Sequence, residues 1–210
     1  MNTKAPTTRI STREWVKLNL RPMHRFSAAI LGTFVLLHIA NHIAGFAGQG
    51  AHRSVQLALR WLYQGWLEPV LLISCIVQVT TGLRMVWQLR KGLRRNWLQP
   101  VSGIYLAVFL SIHVFVVMQA RMHRIETDLA FAAAGMHAGN WWLFFTPYYG
   151  LAIVALGLHI SVPIGRHRPV LARAVICVSV MLALALICLL AGLITPLSIS
   201  PELIRAFPRW

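Results

Sequence analysis

Five stretches of about twenty apolar residues, at roughly 26–46, 67–89, 100–120, 146–165 and 171–195, constrain this chain more than any other feature. A helix rises about 1.5 Å per residue, so such a stretch crosses the ~30 Å hydrocarbon layer of a bilayer. Breakers separate the stretches. Gly45, Gly48 and Gly50 follow the first, Asn96 to Pro100 precede the third, Pro147 lies near the fourth and Pro196 follows the fifth. Of the 210 residues, 57% are hydrophobic and 12% charged, which leaves too little polar surface to clothe a water-soluble domain. The expected fold is therefore all-α, an integral membrane bundle of five helices. A basic N-terminal segment (1–25) precedes the transmembrane domain (26–195), and a short tail (196–210) follows it. There is no internal repeat, and no loop is long enough to form an extramembrane domain.

The net charge of +15 sits in short clusters between the apolar stretches rather than on one face, which argues against nucleic acid. Clusters of this kind report topology and contact with anionic lipid. The N-terminal segment, Arg90 to Arg95, and the turn holding Arg166, Arg168 and Arg173 place thirteen basic residues on one side. The other side has Arg53, Arg60, Arg121, Arg124, Arg205 and Arg209, diluted by Glu126, Asp128 and Glu202. The N-terminus is expected in the cytoplasm and the C-terminus outside, as a multi-pass protein of a bacterial inner membrane. Residues 1–25 lack the apolar core of a secretory signal, and positive-inside placement accounts for their charge. Trp61, Tyr63 and Trp66, and the run Trp141 to Tyr149, mark the outer boundary. Cys75, Cys177 and Cys188 are too far apart for a metal clip, and no C-x-x-C-H run attaches haem covalently.

Histidines inside the stretches carry the chemistry, because an ionisable residue within a bilayer is costly. A single buried histidine can serve only as a hydrogen-bond bridge between helices, so depth has to separate the readings. His38 is the thirteenth residue of a helix starting near 26, ~18 Å from its beginning, and His113 the fourteenth of one starting near 100, ~20 Å from its own. Both helices run outward, so the two imidazoles reach one level in the outer half of the bilayer. That is what axial ligation of a haem between helices requires. Leu31, Phe34, Val35, His38, Asn41, His42 and Gly45 form one stripe of the first helix. His42, a turn beyond His38, can replace it as ligand, bond to a propionate, quinone or water, or simply sit at the interface. His159 runs inward and lies ~20 Å from the outer end of its helix, at a different level. There the second helix reads Gln78-Val79-Thr80-Thr81-Gly82, without histidine or methionine. Only His24, at the start of the first helix, or another chain could complete a second pair.

The run from Leu98-Gln99-Pro100-Val101-Ser102-Gly103 through Phe109-Leu110-Ser111-Ile112-His113-Val114 resembles the third helix of cytochrome b subunits of succinate dehydrogenases and fumarate reductases. The likeness is to the single-chain, five-helix, dihaem type. Arg21-Pro22-Met23-His24, Leu37-His38-Ile39-Ala40-Asn41, Leu67-Glu68 and a lone His159 in the fourth helix extend it over most of the chain. The resemblance implies that His38 and His113 ligate the haem iron of the distal site. It implies that His159 belongs to the proximal site, whose second-helix ligand falls at or beside Gln78, a departure from the family pattern. It further implies quinone as a reactant, with Glu68 as a quinol proton acceptor, and flavoprotein and iron–sulfur partners on the cytoplasmic face.

Read from the residues, Glu68 is the only acidic side chain in or at the edge of a spanning stretch. It can exchange protons with a quinol or stabilise the start of the second helix beside Pro69. Arg84 can snorkel or pair with a haem propionate. The leading expectation is an electron-transfer subunit, itself non-catalytic, holding one haem b with a second site short of a ligand. The alternatives are a haem-poor or haem-free anchor, and a stand-alone haem- or quinone-binding membrane protein. No G-x-S-x-G, phosphate-binding glycine loop or H-E-x-x-H points to a hydrolase or nucleotide enzyme.

Overall fold

A computed structural model describes residues 12–89 and 97–208. Lys4, Arg9, the Arg90–Arg95 run and Arg209 lie outside the described residues, and the orientation they imply stays an expectation. The helices are α1 (Thr12–Ala44), α2 (Gln49–Ala58), α3 (Arg60–Tyr63), α4 (Glu68–Leu89), α5 (Leu98–Met122), α6 (Leu129–His137), α7 (Trp142–Gly165), α8 (Pro169–Leu190) and α9 (Pro201–Arg205). No strand occurs among the described residues. Five segments are long and apolar enough to span a bilayer: Leu20–Ala47, Glu68–Gln88, Leu98–Met122, Gly139–Gly165 and Pro169–Leu190. No more than 22% of any spanning window is buried, so large apolar side chains such as Ile73, Ile76, Met181 and Leu184 face outward. Only lipid makes such a surface favourable.

Successive spans are antiparallel. The start of α1 meets the end of α4 at His24 and Thr81, the start of α4 meets the end of α5 at Glu68 and Arg121, and the start of α5 meets the end of α7 at Ser102 and His159. Two ends of the bundle follow: an N-terminal face, where α1 enters, and a far face, where it leaves. Backbones pack closely between α1 and α4, α4 and α5, α5 and α7, and most extensively α7 and α8. Along α5 and α7, α1 makes at most glancing backbone contact. Side chains bridge that wider gap, and they include the histidines.

Several expected boundaries are corrected. The first helix does not begin at 26; α1 runs back to Thr12 and carries Pro22 within it, because loss of apolar character ends a span but not a helix. The fifth stops at Leu190 rather than 195. Gly192, at φ +72°, lets Leu193 N–H reach the Cys188 carbonyl and its own N–H reach that of Leu189. This glycine-based C-terminal motif closes the helix. Pro147 is no boundary either, since it lies inside α7, as does most of the aromatic run 141–149.

The far-face loops, too short for an extramembrane domain, form a packed cap. The nine residues of α6 are too few to cross a bilayer, yet Leu129, Ala130, Ala133, Ala134 and Gly135 are all buried. Asp128 opens α6 by accepting the Phe131 N–H at 2.9 Å. Leu129 and Ala133 pack with Leu186, Leu189 and Leu190 of α8 in a buried apolar core, and Gly45 lets the end of α1 slide beneath Leu189 and Leu129.

Close approach of α7 and α8 depends on Gly157, where an added Cβ would collide with both Oγ and Cβ of Ser179. Gly157→Ala should cost about 1–3 kcal/mol by overpacking. Gly32→Ala, with nothing within 4 Å of its added Cβ, should cost nothing. Reversible unfolding of the two variants in mixed micelles measures the difference.

Candidate functional site

Two histidine pairs bridge the gap between α1 and the α5–α7 side. The first joins His38 of α1 and His113 of α5, whose ring centres are 6.1 Å apart with planes at 68°. The expectation from depth is met: the rings meet in the half of the bundle toward the far face. Each ring is stacked on the aromatic side chain one turn before it. Phe34 lies 5.6 Å from His38 at 17°, and Phe109 lies 5.3 Å from His113 at 15°. The same F-x-x-x-H spacing on both helices thus gives each imidazole a wall to lie against.

Around this pair the polar network extends toward the far face. His42 Nε2 is 3.3 Å from His38 Nε2, and its ring centre is 5.4 Å from that of His52 on α2. Asn41 donates its amide N–H to His52 Nε2 at 3.2 Å, which puts the His52 proton on Nδ1. Both side chains are buried, yet His52 Nδ1 has no acceptor and Asn41 Oδ1 no donor. Buried groups of this kind normally find partners, so the pair marks a place where a further polar group fits. A small cleft of about 10 Å³ beside it is lined by Phe34, Leu37, His38, Asn41, Leu59, Leu62 and Tyr63.

The second pair joins His24 of α1 and His159 of α7 in the half toward the N-terminal face, with ring centres 6.5 Å apart at 65°. His159 Nδ1–H donates to the Gln99 carbonyl at 3.1 Å, with Ser102 Oγ at 3.4 Å. His24 Nδ1–H donates to Thr81 Oγ1 at 3.0 Å, and Thr81 passes its own proton to the Val77 carbonyl. The Gln78 amide donates to His24 Nε2 at 3.1 Å while its carbonyl accepts from Ser27 at 2.6 Å. His159 therefore does have a neighbour at its level, supplied by α1 rather than by the second span.

Two imidazoles bound on opposite sides of one metal, with metal–nitrogen bonds of about 2 Å, hold their ring centres roughly 6 Å apart. Both pairs stand near that separation. No group of three or more His, Cys, Asp or Glu suited to a bare ion occurs among the described residues. Two facing imidazoles suit a metal that brings its own equatorial ligands, as haem iron does.

Glu68 is the first residue of α4, as helix-start stabilisation requires, but it does not stand alone. Arg121 of α5 donates to its Oε1 at 2.5 Å and to the Tyr63 carbonyl at 2.9 Å, with its guanidinium 5.5 Å from the Tyr63 ring centre. Arg84 is exposed near the end of α4. His52, Arg121 and Thr81 were not visible as site residues from sequence, since each acts through a partner more than ten residues away. The repeated F-x-x-x-H was the readable signal that was missed.

Compared with models of known protein families, with curated proteins and with solved structures, the chain gives no match.

Burial lowers the pKa of His52 from its ordinary 6.5, an effect that nearby Asp128 opposes in part. A lowered histidine pKa means that the unfolded chain takes up protons first, so stability present above pH 6.5 drains as pH falls toward the folded value. His52→Asn should flatten stability against pH below 6.5, read as the unfolding midpoint across a pH series.

Proposed function

We propose that this chain is a membrane-embedded haem-binding subunit of a quinone-linked electron-transfer system. Its role would match that of the cytochrome b subunits of succinate dehydrogenases and fumarate reductases. The observation that carries the reading is the His38–His113 pair, two imidazoles 6.1 Å apart, each stacked on a phenylalanine, within a five-span bundle. A haem bound there supplies reversible one-electron chemistry at a depth that no side chain could provide.

The chain's own residues account for the rest. Phe34 and Phe109 hold the two rings. His52 Nδ1–H, buried without an acceptor, is the kind of donor that a propionate carboxylate satisfies, and His42 lies beside it. At the far-face edge, a quinol would exchange protons with the Glu68 carboxylate, which is paired with Arg121. The N-terminal face is the cytoplasmic one in this reading. Arg166, Arg168 and Arg173, with the basic segments at 1–25 and 90–95, would there receive a flavoprotein and iron–sulfur partner and bacterial inner-membrane lipid.

One observation favours a haem-poor anchor as the second reading. At the level of His159 the second span carries Gln78 and neither a histidine nor a methionine.

The full chain purified in detergent should show a reduced-minus-oxidised spectrum of b type. His38→Ala and His113→Ala should each remove the haem held between those residues while the protein stays monodisperse. A folded preparation with no haem in a pyridine haemochrome assay rules the reading out and leaves the anchor.

A further inference from the structure

We infer that the His24–His159 pair is a second haem-iron site, with α1 supplying the ligand that α4 lacks. This inference rests on the haem-binding reading above and extends it to residues that the reading does not use.

Three observations point to a ligand pair rather than a plain bridge between helices. The first is separation: the ring centres are 6.5 Å apart, close to the 6.1 Å of the other pair and slightly more than the roughly 6 Å that one metal between two imidazoles imposes. Neither ring donates to the other. Second, each ring is pinned through Nδ1. His159 gives its Nδ1 proton to a backbone carbonyl of α5, and His24 gives its own to a hydroxyl of α4. A metal-binding histidine characteristically donates its other nitrogen in this way, which fixes the tautomer and leaves the Nε2 lone pair for the metal. The Gln78 N–H lying on His24 Nε2 agrees, since only an unprotonated nitrogen can accept it. A metal at that nitrogen takes the place of this one amide contact, and Ser27 keeps the Gln78 carbonyl bonded.

Third, glycines stand behind both rings. A Cβ on Gly82 of α4 would come within 3.3 Å of His24 Cε1, and one on Gly103 of α5 within 3.0 Å of His159 Cε1. Each glycine thus backs the Nδ1–Cε1 edge of its histidine, letting the ring seat close to the neighbouring helix. The seat draws each imidazole back, away from the space between α1 and α7, where backbone contact is at most glancing. A bridge whose purpose was to bring α1 and α7 together would have no need of such recesses. Gln78, the residue at the level of His159 on the second span, serves as a positioning residue for His24.

The test is haem per chain, measured on the full-length protein in detergent by pyridine haemochrome against amino-acid analysis. Two haems are expected, falling to one in His24→Ala, in His159→Ala and in His113→Ala, and to none in His24→Ala/His113→Ala. In the first two variants the haem at His38–His113 reports that the fold is intact. His24→Met covers the case in which His24→Ala loses both haems. It should restore two haems, one of them with the charge-transfer absorption of a methionine–iron bond. One haem per chain, lost in His113→Ala and untouched by His24→Ala, would overturn this inference and leave the proposed function standing. Two haems that survive His24→Ala, or a His24→Met protein without the new absorption, would also overturn it. A folded chain with no haem at all removes the proposed function as well.

Discussion

A neutral imidazole inside an apolar bundle must place both of its nitrogens, and the way the first is satisfied decides what the second can do. Once Nδ1–H is committed to a carbonyl or hydroxyl on a neighbouring helix, the ring cannot rotate and its remaining lone pair points in a fixed direction. His159 is held by the Gln99 carbonyl and His24 by Thr81, and each bond joins helices that are already close neighbours. Helix packing and ligand orientation are therefore one problem here. The α1–α4 and α5–α7 interfaces each hold a ring, and the two rings meet across the gap between those interfaces.

Packing strength is distributed to match. The tightest contacts lie away from the histidines, along α7 and α8 and in the cap where Leu129, Ala133 and Leu189 are almost fully enclosed. His24, His38, His113 and His159 are all only partly enclosed by protein. A rigid frame on one side with a looser seam on the other would suit the haem proposed for this chain. A uniformly tight bundle would leave no room for one.

Much of this was legible in the sequence, because spans and depth follow from counts of residues. The five spans and the meeting of His38 with His113 need only helix rise and alternating direction. The misreadings arose where a local signal had a non-local cause. Charge before residue 26 suggested that the first helix had not begun, yet the chain is helical from Thr12 onward. The end of α8 depended on the conformation of Gly192, hidden inside a still-apolar run. By sequence, His24 was one of two possible partners for His159, the other being a second chain, because which helices face one another across a bundle is not written in spacing. Arg121, an ordinary interfacial cation by sequence, is tied to Glu68 only once α4 and α5 are laid side by side.

One consequence of α1 concerns how such a protein can vary. His24 and His38 are fourteen residues apart on one continuous helix, which sets them ~21 Å apart along the axis and within about 40° of the same face. Substitutions on the lipid side of that interval leave the relation untouched, and exposed Phe26 and Leu36 could become almost any apolar residue. A single inserted or deleted residue is different. It would swing one histidine about 100° around the helix relative to the other, so that only one of them could still face the seam. At the lipid-facing positions of that interval the chain can drift freely in spelling while its length is held fixed. α1 then behaves as a ruler whose graduations matter more than the letters printed between them.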